Sequence, residues 1–287
     1  MLLKIEVYVL FYVDCEGVIM KYMHFKGSCS YAGIANMLEL SGYDTEDYII
    51  ANKIKLPYMF DYVDGTYLAG TRLQNQKWFN LFLNQIGFRL VEVKISSTDL
   101  VNYLQEDRPT MIGILSNESK HAVIYYRHDE HDFYFINNKF ENEQYPELKK
   151  MSATELISSV SDVVTIGYLE KCNVENVDII SQLIHSAKTL EKMNRDLSLY
   201  CSTYHSKKDI LSCRENLFRA LFLEALIMYQ LESNEYLYRN LWELQRSFMH
   251  ALSIENDILL SNYIDMKLLN ETINSILNSI HDLIENS

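Results

Sequence analysis

The stretch "GSCSYAGIANMLELSG", residues 27–42, places a cysteine directly before a segment with helical periodicity. Ser28 is a typical N-cap and Gly42 a typical C-terminal stop. Between them, apolar residues recur at the spacing of one helix face: Tyr31, Ile34, Ala35 and Leu38. Cys29 then lies in the first turn, where unpaired backbone N–H groups and the helix dipole stabilise a thiolate. The stretch predicts either an activated thiol or a partly buried cysteine that only packs.

The composition indicates a globular chain in a reducing compartment. With 287 residues, 48% of them hydrophobic, the chain can bury a core as one large or two small domains. The five cysteines are scattered and form no CxxC pair, so they indicate neither a disulfide framework nor a zinc knuckle. We therefore expect a cytoplasmic protein.

The first residues, "MLLKIEVYVLFYV", are apolar but interrupted by Lys4 and Glu6. They lack a basic n-region and a small-residue cleavage site, so they predict a strand or an extension rather than a signal peptide. No run reaches 18 apolar residues, and we expect no membrane-spanning helix and no membrane partner. The net charge of −13 opposes attraction to phosphate backbones, which argues against nucleic acid as a partner.

The composition and periodicity of the chain change near residues 150 to 170. All three prolines and eight of the nine glycines lie in the first 146 residues, and long segments with helical periodicity follow. In the last of these, an apolar stripe recurs at helical spacing: Leu268, Leu269, Ile273, Ile276, Leu277, Ile280 and Ile284. The sequence predicts one domain over residues 1–150 and an all-helical domain over 151–287.

The first half mixes helices and strands. "KWFNLFLNQIGFRLVEVKI" predicts a helix ending near Gly87 and then a strand, and "PTMIGIL" predicts a short buried strand. "HAVIYYRHDEHDFYFIN" predicts a hairpin, because two aromatic and β-branched runs flank a polar turn. A leading helix followed by a late antiparallel hairpin is typical of the α+β class.

A nucleophilic thiol needs a base and a group that orients the base. Among eight histidines, His121 opens a predicted strand, where packing can hold its ring. The other strand of the hairpin ends in "FINN", so either Asn137 or Asn138 could accept a hydrogen bond from the imidazole. Only one can serve, because adjacent strand residues face opposite ways. The alternatives are that His121 is an ordinary surface residue at a strand edge and that the two asparagines only form a turn.

The hairpin tip, residues 128–132, holds two histidines and three acids and could suggest a metal site. Consecutive residues of a hairpin tip alternate faces, however, and such tips are usually solvated turns. We therefore predict no metal at this tip.

The order of a cysteine at a helix start, a histidine some 90 residues later and an asparagine 16 residues beyond it resembles papain-like cysteine peptidases that process bacteriocin leader peptides. More closely, the chain resembles the butirosin biosynthesis protein H family, in which a papain-like domain precedes a helical domain. The matching stretches are short and span most of the chain: "GSCSYAGIANMLELSGYDTED", "YLAGTRLQ", "QIGFRLVEV", "DRPTMIGIL", "HAVIYYRHDEHDFYFINN" and "FRALFLEAL".

The resemblance implies a catalytic Cys29, His121 and Asn137. It implies an acyltransferase of natural-product (antibiotic) biosynthesis that moves an acyl group from an acyl or peptidyl carrier-protein thioester to a small-molecule amine. A related Cys–His enzyme forms amide bonds in closthioamide assembly. No cofactor, ATP or metal is implied, since aminolysis of a thioester is downhill. Two alternatives stay open: a cysteine peptidase that cleaves a leader peptide, and a catalytically silent interaction module.

The chain departs from the family pattern at the oxyanion hole. Peptidases of this superfamily carry a glutamine shortly before the cysteine, whereas this chain has "KYMHFKG" there. The backbone N–H of Cys29 can serve as one oxyanion donor, and His24 is a candidate for the second.

The resemblance leaves open how the enzyme selects an amine over water. A helical cap could keep the acyl-enzyme dry, and the tyrosine-rich segment "LPYMFDYVDGTYLAGTR" could line an acyl pocket in which Asp61 and Asp64 hold a cationic amine. The alternative is that these tyrosines pack a domain interface.

Overall fold

A computed structural model describes residues 28–104, 108–116, 119–137, 147–254 and 256–286, together with two short strands at 12–13 and 19–20. The chain divides into two compact units. The first comprises the residues up to Lys53 and Gln74–Val177, and the second comprises Ile54–Leu73 and the residues from Asp178 onward.

The strands are, in chain order, β1 Tyr12–Val13, β2 Ile19–Met20, β3 Phe60–Val63, β4 Thr66–Ala69, β5 Phe88–Ser96, β6 Thr110–Ser116, β7 Ser119–His128, β8 Asp132–Asn137, β9 Glu147–Ser152, β10 Val163–Lys171, β11 Tyr204–His205 and β12 Ile258–Leu259. The α-helices are α1 Cys29–Leu40, α2 Asp47–Lys53, α3 Gln76–Leu83, α4 Leu100–Tyr103, α5 Ala153–Ser158, α6 Ile179–Cys201, α7 Lys207–Cys213, α8 Leu226–Leu231, α9 Glu235–Ala251 and α10 Met266–Glu285. Two π-helical segments, Arg214–Phe218 and Ala220–Ala225, lie between α7 and α8.

The first unit is built on a six-stranded antiparallel sheet in the order β5-β10-β6-β7-β8-β9. The predicted hairpin is confirmed as β7 and β8, and its turn is closed by Asp129, whose carboxylate accepts from the N–H groups of His131 and Asp132. The predicted strands after Gly87 and Pro109 are confirmed as β5 and β6. The predicted mixture of helix and sheet is therefore observed.

Helix α1 lies close against β6 and β7. Ser28 caps it, because its Oγ accepts from the N–H of Tyr31 at 3.3 Å. A Cβ added at Gly33 would lie 2.9 Å from Ile124 Cδ1 and 3.3 Å from Met111 Sδ. Glycine at this position therefore sets how closely the helix approaches the sheet, and so where Cys29 lies.

The second unit is mainly helical. The predicted stripe of α10 is confirmed, with Leu269, Ile273, Ile276 and Ile280 buried. The prediction of an all-helical domain is incomplete, however, since this unit also contains the hairpin β3–β4 and the pair β11–β12. The hairpin is held there by hydrogen bonds from the Phe60 N–H to Ser186 Oγ and from the Tyr67 hydroxyl to Asp196.

The unit boundary also differs from the predicted division at residue 150. Residue 150 falls inside β9, and β10 pairs with β5 over nine residues, so the sheet needs the chain as far as Lys171. Glycine and proline become rare where the helices begin, but this change in composition does not reveal the last strand of the sheet, β10. Residues 54–73 belong to the second unit because their partners lie more than 120 positions along the chain.

Substituting Gly33 tests the close approach of α1 to the sheet. We expect Gly33→Ala to destabilise the protein by about 1 kcal/mol, because the overpacking cost of about 1–3 kcal/mol exceeds the helix-propensity gain of about 1 kcal/mol. In an Ile124→Val background, which lacks the Cδ1 atom, the same substitution should be neutral or stabilising. Unfolding in urea measures both. Equal losses of stability in the wild-type and Ile124→Val backgrounds would contradict the close contact between Gly33 and Ile124.

Candidate active site

Cys29 is the first residue of α1, as predicted, and its side chain is partly buried. Its Sγ accepts a hydrogen bond from the backbone N–H of Ala122, at 3.3 Å, so the thiol lies against the start of β7. The N-terminus of α1 adds the positive end of the helix dipole. Both favour the thiolate over the thiol.

His121 and Asn137 lie next to one another, also as predicted. Imidazole Nε2 is 2.5 Å from Asn137 Oδ1. The Asn137 amide nitrogen donates to Glu147 Oε2 at 2.8 Å, so the amide turns its oxygen toward His121, and Nε2 must carry the proton. The ring nitrogen available to the thiol is then Nδ1. Asn138 and His24, the alternatives raised by the sequence, lie outside the described residues.

The surroundings of Cys29 lower the pKa of its thiol. Burial raises this pKa, but a hydrogen bond with His121, the Ala122 N–H, the charge of His121 and the Ser30 hydroxyl together outweigh burial. Cys201 is the instructive contrast: it is fully buried, and burial raises its pKa to about 12. Burial raises the pKa of both thiols, and the polar partners of Cys29 account for the opposite direction of its shift.

Two polar residues that the sequence did not single out adjoin this site. Gln74 Oε1 accepts from the hydroxyl of Ser30 at 3.0 Å, one residue from the nucleophile. Glu147 holds the amide of Asn137. Gln74 ends the "YLAGTRLQ" stretch, but nothing in that stretch connects it to Cys29, and only the pairing of β8 with β9 connects Glu147 to Asn137.

The tyrosine-rich segment packs within the second unit. Tyr58 makes an edge-to-face contact with Tyr229, and the buried Asp61 bonds to His185 Nε2 at 2.9 Å. Asp64 and Gly65 have φ values of 48° and 81° and form the turn between β3 and β4. A cavity of about 360 Å³ is lined in part by two of these tyrosines; its lining residues are Tyr62, Gly65, Tyr67, Asp196, Leu199, Tyr200, Thr203, Cys213, Asn216 and Leu217.

The described part of the chain contains neither a metal-binding cluster nor a membrane-spanning helix. There, no group of three or more histidine, cysteine, aspartate or glutamate side chains is arranged to hold a metal ion. Within the same residues, no helix combines the length and the apolar character needed to cross a bilayer. At the hairpin tip, His128 Nδ1 bonds to the Tyr125 hydroxyl, and Asp129 accepts from Tyr134.

Comparisons with known proteins give likenesses among solved structures alone. No family model matches the chain, and no curated protein matches it. Among solved structures, the chain is similar to the peptidase domain of Streptococcus ComA, a bifunctional ABC transporter involved in a quorum-sensing pathway. The match has a TM-score of 0.35 and 12% identity, and covers 49% of this chain and 90% of that chain.

The lowered pKa of Cys29 predicts selective alkylation. We expect iodoacetamide to modify Cys29 at neutral pH much faster than Cys201, because the pKa of the Cys29 thiol is lowered and that of the buried Cys201 thiol is raised. His121→Ala removes two of the causes that lower this pKa, so the midpoint of the rate against pH should move upward toward that of an ordinary thiol. Peptide mass spectrometry measures both rates. His131→Ala, at the exposed hairpin tip, is the control. Equal midpoints in the wild type, His121→Ala and His131→Ala would refute the pairing of Cys29 with His121.

Proposed function

We propose that this protein is a cysteine-dependent acyltransferase that forms amide bonds. The observation that carries the proposal is the arrangement of Cys29, His121 and Asn137 around a thiol of lowered pKa. A stabilised thiolate beside an oriented imidazole is suited to forming a thioester with an acyl group. The sequence resemblance supplies the donor and acceptor classes: a carrier-protein thioester and a small-molecule amine, in a cytoplasmic biosynthetic setting.

In the first half-reaction, the Cys29 thiolate attacks the carbonyl carbon of the incoming thioester. The C–S bond of the donor then breaks, and the carrier thiol leaves with a proton from the imidazolium of His121. The exchange replaces one thioester with another, so it is close to neutral in free energy. The backbone N–H of Cys29, at the start of α1, can serve as a donor to the developing oxyanion.

In the second half-reaction, an amine attacks the acyl-enzyme. The new C–N bond forms, the bond to Cys29 Sγ breaks, and the proton of the attacking nitrogen passes to His121, which restores the thiolate–imidazolium pair. Water competes for the same intermediate at far higher concentration. A bound and oriented amine can offset this through an effective molarity on the order of 10⁵ M or more.

Papain-like peptidase activity is the second candidate, because the same three residues suit attack on a peptide bond. The two candidates share the acyl-enzyme and differ in both donor and acceptor. A peptidase requires His121 to protonate an amine leaving group, whereas a thioester releases a thiol, which is a much better leaving group.

Intact mass spectrometry tests the proposed reaction. Incubation with acyl thioesters, on a carrier protein or as N-acetylcysteamine conjugates, should add one acyl mass to the wild type and none to Cys29→Ala. A panel of amines should then discharge the adduct, and the corresponding amide should appear in solution. Absence of an adduct with every thioester, together with cleavage of Gly-Gly-containing peptides, would replace the acyltransferase with the peptidase.

Gln74 is a further element of the proposal, as the second oxyanion donor. Its oxygen is engaged by Ser30, which leaves its N–H₂ group as a donor near the nucleophile. We expect Gln74→Ala to reduce acyl transfer about 10²-fold, the usual effect of losing one such donor. Alkylation of Cys29 by iodoacetamide should persist, since that reaction forms no oxyanion.

Gln76→Ala is the matched control for this variant. Gln76 is also an exposed glutamine and begins α3, two residues further along, where its side chain accepts from the backbone N–H of Glu92. It should retain acyl transfer. Loss of both activities in Gln74→Ala would indicate a disturbed Cys29 rather than a missing oxyanion donor.

A further inference from the structure

Glu147 contacts the residue that orients the histidine. It begins β9 and lies directly opposite Asn137 in the β8–β9 register, while Val123 of β7 lies opposite Asn137 on the other side. The three residues thus form one row across the sheet, and side chains in such a row project from the same face. Asn137 is only 2% exposed, so its amide depends on protein partners.

The carboxylate of Glu147 fixes which end of the Asn137 amide meets the imidazole. An asparagine side chain can turn by 180°, which would exchange its oxygen and its N–H₂ group. A carboxylate only accepts hydrogen bonds, so Glu147 selects the orientation in which Nδ2 faces it, at 2.8 Å. The oxygen then faces His121 Nε2, and the imidazole keeps its proton on Nε2 and presents Nδ1 to the thiol.

We propose that Glu147 is a positioning residue of the active site, which acts through Asn137 to orient His121 and to favour the thiolate–imidazolium pair. The proposal rests on the proposed function in treating Cys29 as the nucleophile. The chain of contacts runs from Cys29 through His121 and Asn137 to Glu147, and each link has its own donor and acceptor. Glu147 is thus the outermost described member of this chain.

The charge of Glu147 acts in the same direction as its hydrogen bond. Moving the proton from Cys29 to His121 creates a thiolate and an imidazolium, and a negative charge one amide beyond the imidazolium stabilises the latter. Asn137, which separates the two groups, is buried, so water screens this interaction less than at an open surface. Along the described part of β9, Lys149 is the other charged residue on this face, while Phe135 of β8 lies opposite Lys149.

A role in stability alone is the competing explanation, since a cross-strand hydrogen bond near the sheet edge also stabilises the fold. Two substitutions distinguish the explanations. Glu147→Gln nearly preserves the shape and can still accept from Asn137, but it removes the charge. Glu147→Ala removes both the charge and the acceptor. Asp132→Asn is the matched control, because it removes a carboxylate from the other end of β8, where Asp132 pairs with Lys150.

The readout is the rate of alkylation of Cys29 by iodoacetamide between pH 5 and 10, beside a thermal melt of each variant. We expect Glu147→Gln to react about tenfold more slowly than the wild type at neutral pH, corresponding to about one pKa unit. The rates should converge above pH 9, where the thiol ionises without help. Glu147→Ala should lose at least as much reactivity, and Asp132→Asn should react as the wild type does.

A double-mutant cycle shows whether Glu147 acts through Asn137. In an Asn137→Ala background, adding Glu147→Gln should slow alkylation less than it does in the wild type, since the hydrogen-bonded link is already broken and only the effect of the charge remains. Wild-type rates in both folded Glu147 variants would overturn the proposal, as would an equal effect of Glu147→Gln with and without Asn137. Because alkylation needs no acyl donor, a failed acyl-transfer assay with the expected alkylation rates would count against the proposed function alone.

Discussion

The close approach of α1 to the sheet is the constraint on which the site depends. The N-cap Ser28 fixes where the helix begins, and Gly33 lets its second turn contact Ile124 without a side chain between them. These two features place the thiol of Cys29 against the backbone N–H of Ala122. A helix held further from the sheet by one methyl group would break this hydrogen bond and move the thiol away from His121.

Once the thiol is in place, its ionisation follows from a directed series of polar contacts. Glu147 accepts from Asn137, Asn137 accepts from His121, and His121 faces Cys29. No donor faces a donor in this series, so the proton on Nε2 and the orientation of the ring are both determined. Cys201, which is buried without such partners, keeps its proton far above neutral pH. Burial alone therefore raises the pKa of a thiol in this protein, whereas the polar contacts of Cys29 lower the pKa of its thiol.

The residues that sequence could identify are those whose local pattern carries the signal. Cys29 follows an N-cap, His121 lies near the start of β7, and Asn137 ends the strand that returns beside it, so each could be placed from its neighbours. Glu147 and Gln74 could not, because their roles depend on strand register and on contacts 10 and 44 positions along the chain. The same limit explains the unit boundary: Ile54–Leu73 has an ordinary hairpin sequence, and only its distant partners assign it to the second unit.

The chain of contacts also bears on the choice between water and an amine. Water must lose a proton as it attacks, so hydrolysis of the acyl-enzyme requires His121 to act as a base. A neutral amine attacks first and releases its proton afterwards, from a nitrogen that has become acidic. Under our proposal, Glu147 makes the imidazolium more stable and His121 a stronger base, which assists the attack of water at least as much as that of an amine. The feature that ionises Cys29 therefore does not select the amine, and that selection must come from binding and orienting the amine beside the acyl-enzyme.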